Sequence, residues 1–209
     1  MSEYDINIFM NKIQRVAFEK LTSSKGNADI VEMMEEIFTI SEAEVQSFLS
    51  DEDISRMDCK EGCSTCCRIN VSLLEPGAII ITDYLIKTLS PTELAKQKAK
   101  MSELVKHIRY LDDDERIFAN KPCAFLNEHG GCSIYPVRPF LCRSVTSADK
   151  QLCKDAISML ALGESISIPM HTKQKQIMDA AFKAVAKGMD ETGQSSKSME
   201  LTAGVLVHM

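Results

Sequence analysis

Eight cysteines dominate the chemistry this chain can offer, and all of them lie between Cys59 and Cys153. The first group, CKEGCSTCC, places Cys59, Cys63, Cys66 and Cys67 close together. The second, PCAFLNEHGGCSIYPVRPFLCR, spaces out Cys123, Cys132 and Cys142, and Cys153 follows alone. Thiolate is a soft ligand that loses its proton on binding zinc or iron, and short loops bring successive sulfurs together at little entropic cost. An even number of cysteines in a short extracellular chain would instead read as a disulfide framework. The opening residues MSEYDINIFM lack the basic region and apolar stretch of an export signal, so a cytoplasmic location is expected. Clustered thiols there bind metal or do redox chemistry.

Cys63 and Cys66 form the most conventional ligand pair. Cys66 and Cys67 are adjacent, so either one ligates while the other packs, or two centres share the loop. Gly62 and the Gly130-Gly131 pair are expected to relieve the backbone beside ligands. Four thiolates around Zn²⁺ or an iron–sulfur core leave net negative charge. Arg68, Arg138 and Arg143 are the expected cofactor-facing cations, with Lys60 beside them, because they adjoin the cysteines in sequence. Arg138 precedes proline, which favours extended backbone; it either makes a rigid salt bridge or holds an anion near the centre. Tyr135 either donates to a sulfur or closes the site as a packed ring. Cys153 is a ligand or a buried thiol, and His129 is a fourth zinc ligand or a solvent-facing turn. No catalytic residue is assignable, and glycine fingerprints for phosphate or dinucleotides are absent.

The elements that must position these groups read as helices. Ile6, Phe9, Ile13, Ala17 and Leu21 recur at helical spacing, as do Ile30, Val31, Met34, Ile37 and Phe38. Ser41 with Glu44 predicts a capping box opening a third short helix. Pro76 suits a first helical turn, and Ser90-Pro91-Thr92-Glu93 opens the next helix. Asp112–Glu115 lacks the spaced ligands of a calcium loop and reads as an acidic turn or helix start. A helix is expected around Cys153–Leu160, capped by Ser147, and another through Ile177–Val185 that Gly188 ends. The final LTAGVLVHM reads as an edge strand or a disordered end.

Formal net charge is −6 over 209 residues, which argues against a dedicated nucleic-acid binder. Residues 1–58 carry 13 acids and 5 bases, whereas 59–143 carry 10 acids and 12 bases. The acidic head is a docking face for a basic partner or simply a solvated helix surface. No strictly apolar run exceeds four residues, too short to cross a bilayer.

The two cysteine groups resemble the zinc- or iron-chelating cysteine-cluster family. Its first element matches at Cys59, Cys63, Cys66 and Cys67, and its second at Cys123, Cys132, Ile134, Tyr135, Arg138, Pro139, Cys142 and Arg143. The cysteine module of the flagellin lysine N-methylase is similar, but no glycine-rich loop here would bind S-adenosylmethionine, so methyl transfer is not carried over. The resemblance implies a bound metal, either an iron–sulfur cluster such as [4Fe–4S] or Zn. The metal ligands are then expected among Cys59, Cys63, Cys66, Cys67, Cys123, Cys132 and Cys142.

The expected architecture is mostly α: a helical protein with an irregular cysteine-rich metal-binding module. Residues 1–54 form an acidic helical head packed on the module, 55–162 the module, 163–190 a C-terminal helix of the same domain, and 191–209 a polar tail with a terminal apolar segment. An iron–sulfur protein would work with a redox or enzyme partner protein. A zinc-stabilised interaction module without catalytic activity is the rival, and disulfide exchange at CSTC is a third reading that lacks a thioredoxin-like strand-to-helix setting.

Overall fold

The computed structural model describes residues 4–60, 62–160, 162, 164 and 166–209. The protein is mostly helical, as the periodicities require. Helix α1 (Ile6–Ser23) opens at Asp5, whose carboxylate accepts from the Asn7 backbone N–H at 2.9 Å. Helix α2 (Asn27–Gln46) runs unbroken through the expected start of a third helix. Ser41 is buried there and donates its hydroxyl to the Ile37 carbonyl at 2.8 Å, so it sits inside the helix rather than capping one. The real capping box is Ser50 with Asp53, which starts α3 (Asp51–Arg56).

After the first cysteines come β1 (Ser72–Leu73), α4 (Glu75–Thr88) with proline in its first turn, and α5 (Pro91–Ile108) with the Ser90–Glu93 capping box. The acidic run becomes the capped start of α6 (Asp113–Phe118). Past the second cysteine loop, a 3₁₀ turn at Tyr135–Val137 leads into α7 (Phe140–Ser144) and α8 (Lys150–Leu160). At the start of α8 it is Asp149, not Ser147, whose side chain accepts from the Gln151 and Leu152 N–H groups.

Helix α9 (Thr172–Glu191) runs past Gly188, the expected end. A Cβ at Gly188 would lie 2.7 Å from the Ala17 Cβ and 3.1 Å from the Gln14 carbonyl oxygen. The glycine therefore serves close approach of α9 to α1, not termination. Strand β2 (Met199–Glu200) pairs antiparallel with β1, Ser72 opposite Glu200 and Leu73 opposite Met199. The apolar end folds as α10 (Leu201–Val207), neither strand nor disorder, and buries Leu201 and Val205 against α4 and α5.

The core has two joined parts. Ile13, Ala17, Met33, Ile37, Ala181 and Val185 fill the space between α1, α2 and α9. Ala78, Ile80, Ile81, Leu85 and Met101 continue it through α4 and α5. Apolar burial here supplies the rigid wall on which the irregular loops rest.

Candidate metal centre

The cysteine loops are built from tight turns tied to one another. In the first loop, the Cys63 N–H donates to the Lys60 carbonyl at 2.9 Å and the Cys67 N–H to Ser64 at 3.1 Å. Gly62 adopts φ +87° in that turn, a conformation costly for any residue with a Cβ. In the second loop, the Asn127 N–H donates to the Gly131 carbonyl at 2.9 Å and Ser133 N–H to Phe125 at 2.8 Å, with Gly130 at φ +76°. The Cys123 N–H donates to the Cys67 carbonyl at 2.7 Å, which binds the two sequence-distant groups directly.

Cys142 comes from α7, which is clamped to the helical core. The Phe140 ring meets Phe38 edge-on with centroids 4.9 Å apart. Arg143, 5% exposed, donates to the carbonyls of Arg138 (2.8 Å) and Pro136 (2.7 Å), pairs with Glu42 on α2, and lies 4.4 Å over the Phe38 ring. Gln174 of α9 in turn donates to the Arg143 carbonyl at 2.8 Å. The position of Cys142 is thus fixed by α2 and α9.

Cys59, Cys63, Cys66, Cys67, Cys123, Cys132 and Cys142 all line one cavity of about 430 Å³. All eight cysteines are free thiols. Cys153 is half-buried on α8 and off the cavity wall, within electrostatic reach of Cys59. His129 is exposed and also off the wall. Among the described residues, no three His, Cys, Asp or Glu side chains stand close enough to grip one ion as placed.

The donor set nevertheless has the chemistry of a thiolate metal site. Backbone N–H groups aim at sulfurs: Ser147 at Cys59 Sγ at 3.0 Å, Phe125 at Cys123 and Ile134 at Cys132. Such bonds favour the thiolate, as they do around bound metals. Burial works the other way. It pushes the Cys142, Cys132 and Cys59 thiols up, and Cys123 up to about 11. Cys66 and Cys67 share a hydrogen bond, which lowers Cys66 and raises Cys67. The adjacent pair therefore turns inward together, contrary to the tendency of neighbouring side chains to diverge.

A pH dependence follows. The metal-free protein should lose stability as pH rises from the ordinary thiol range, about 8.5, toward the Cys123 value of about 11. Over that window the unfolded chain releases the proton that the folded chain still holds. Denaturant midpoints taken near both ends should show the decline. Metal affinity should instead rise with pH, because binding displaces thiol protons.

The expected cations separate into different roles. Arg138 and Lys60 line the cavity, and the Arg138 guanidinium stacks 4.3 Å from the centroid of the half-exposed Tyr135 ring, itself on the wall. Arg68 is off the wall; it donates to the carbonyl and Oδ1 of Asn120, both at 2.9 Å, and braces that residue's positive-φ turn. Arg143 is likewise a clamp behind the site rather than part of its lining. Sequence reading missed Arg116, Thr146 and Glu200–Thr202, which complete the wall. Arg116 lies within a run that looks like solvated acid, and the C-terminal residues carry no spacing signal at all.

No curated protein and no solved structure matches the chain significantly, so the likeness to the methylase module rests on the cysteine motif alone. Residues 58–160 match the family described as "CxxCxxCC: Putative zinc- or iron-chelating domain". Its span contains all eight cysteines and both loops around the cavity. From Asp58 to Leu160, then, the chain is a zinc- or iron-chelating domain of the CxxCxxCC family.

Proposed function

We propose that the cavity holds an iron–sulfur cluster with a redox or enzyme-supporting role. The observation that carries this reading is seven cysteines on the wall of one cavity of about 430 Å³. A tetrahedral zinc site needs four ligands and little space beyond them. Seven thiols around a larger volume suit a polynuclear core whose remaining sulfurs pack beside it. When bound, such a cluster accepts and releases single electrons.

The chain's own part is to hold and tune. Cys59, Cys63, Cys66, Cys67, Cys123, Cys132 and Cys142 would supply the ligands and their immediate surroundings. The N–H groups of Ser147, Phe125 and Ile134 would hold sulfur lone pairs in place. Arg138 would offset thiolate charge from the wall, with its guanidinium held against the Tyr135 ring. Reduced thiols of this kind fit a cytoplasmic protein that works with a redox or enzyme partner. Among the described residues no helix is long and apolar enough to cross a membrane.

The rival, a zinc-stabilised interaction module, draws support from the acidic head, since residues 1–58 carry 13 acids against 5 bases. Protein purified without oxygen should show an absorbance band near about 400 nm that bleaches with dithionite. A colourless protein holding stoichiometric zinc would favour the rival.

A further inference from the structure

Of the eight cysteines, all of them among the described residues, Cys153 alone stands off the cavity wall, and the fold brings a wall cysteine toward it. Residues 58 and 59 lie along the entry to α8. The Asp58 N–H donates to the Ser147 carbonyl at 2.9 Å, and the Ser147 N–H donates back to Cys59 Sγ at 3.0 Å. The Lys150 N–H, in the first turn of α8, donates to the Asp58 carboxylate at 3.2 Å. The Cys153 N–H donates to the Asp149 carbonyl at 3.3 Å, so Cys153 stands one turn above Asp149 on the same helix face. Its sulfur is near enough for its charge to act on Cys59, whose other thiol neighbours are Cys63 and Cys66. Cys67, Cys123, Cys132 and Cys142 instead neighbour one another and Cys66. Cys59 therefore sits at the margin of the thiol group, on the side of α8. Both Cys59 and Cys153 are free and only partly buried, within reach of a small molecule.

We propose that Cys59 and Cys153 are a reversible redox pair whose disulfide withdraws Cys59 from the metal site. The oxidant is a small-molecule disulfide. The Cys153 thiolate attacks one of its sulfurs, the S–S bond of the small molecule breaks, and a small thiolate leaves. The Cys59 thiolate then attacks the Cys153 sulfur of the mixed disulfide, the internal S–S bond forms, and the second small thiolate leaves. The two protein thiols give up two electrons and two protons, and one small disulfide becomes two small thiols. A disulfide sulfur carries no thiolate charge and no longer ligates, so oxidation costs the site one ligand. Metal loading itself does not need Cys153, and a reductant restores the site. The inference rests on Cys59 belonging to the metal site, whichever metal is held there.

The test treats the reduced, metal-loaded full chain with glutathione disulfide in the absence of oxygen, followed by alkylation, digestion with trypsin and mass spectrometry. Cleavage after Arg56, Lys60, Lys150 and Lys154 puts Cys59 in the peptide MDCK and Cys153 in QLCK, apart from every other cysteine. The expected product is MDCK joined to QLCK as the main internal disulfide, lost on adding dithiothreitol, with metal released in step with its formation. Cys153→Ser, equally loaded at the start, should release metal about fivefold more slowly or slower still. Cys59 joined instead to Cys63 or Cys66, glutathione adducts without the MDCK–QLCK pair, or equal metal loss from the wild type and Cys153→Ser overturns the proposal. Should the variant fail to load, the wild-type peptide map decides alone. Metal analysis of the starting sample keeps the two readings apart: a zinc-loaded chain that forms the pair contradicts the cluster and leaves the pair standing, and an iron–sulfur chain that does not form it does the reverse.

Discussion

Replacing Cys142 with serine is expected to remove most of the bound metal and to lower the unfolding free energy by about 4 kcal/mol or more. Serine keeps the shape but offers a hard, weakly acidic oxygen where a soft thiolate is needed. The effect should be large because the loops around residues 59–67 and 123–132 are joined by turns and one direct backbone bond, Cys123 N–H to the Cys67 carbonyl. Only Ala124 and Phe125 of the second loop are anchored in the apolar core, and no described residue of the first loop is fully buried, so metal binding is expected to contribute directly to loop folding. Cys153→Ser provides the contrast. That thiol lies on α8 off the cavity wall, and both metal content and stability should stay near wild type. Metal analysis with denaturant unfolding of both variants checks the pair, and equal losses in the two would count against the assignment of the wall.

The second large effect is expected away from the sulfurs. Arg143→Met should cost about 2–4 kcal/mol, the range for leaving two carbonyl acceptors without a charged donor; Glu42 is 54% exposed and keeps its hydration. The change leaves the carbonyls of Arg138 and Pro136 without their donor and releases Glu42 of α2. Methionine fills the space over Phe38, so the loss reports the polar clamp rather than a cavity. Metal content should fall only after the helical head loosens. In a denaturant series at saturating metal, Arg143→Met should regain part of its stability, because binding to the native state stabilises by mass action. Cys142→Ser should not.

The cysteine pattern and its capping signals were legible from residues alone because each acts over a few positions. Ser90 with Glu93 and Pro76 in a first turn specify helix starts locally, and the structure has both. Ser41 with Glu44 carries the same letters, yet nothing between Phe38 and Ser41 breaks the helix, so Ser41 is satisfied by the carbonyl four residues back. Gly188 reads as a terminator until α1 is brought against it; its role lies in a contact with Ala17, 171 residues away. The same distance effect hid half the cavity. Arg116, Thr146 and Leu201 reach the wall through α6, the loop after α7 and the β1–β2 pairing, none of which a local motif encodes. Sequence adjacency to a cysteine also does not say which cation reaches the wall, although Arg143 still acts on the Cys132 thiol from behind it. Arg68 and Arg143 neighbour ligands in the chain but face away as braces, whereas Arg116, seven residues before Cys123, lines the site.

The central claim is that the seven cavity thiols hold an iron–sulfur cluster. Mössbauer spectroscopy on protein expressed in iron-replete cells and purified without oxygen, with iron and acid-labile sulfide measured on the same sample, tests it most directly. The account predicts equimolar iron and sulfide and a spectrum of sulfur-coordinated iron that changes on reduction. Stoichiometric zinc with neither iron nor sulfide from the same cells would contradict it.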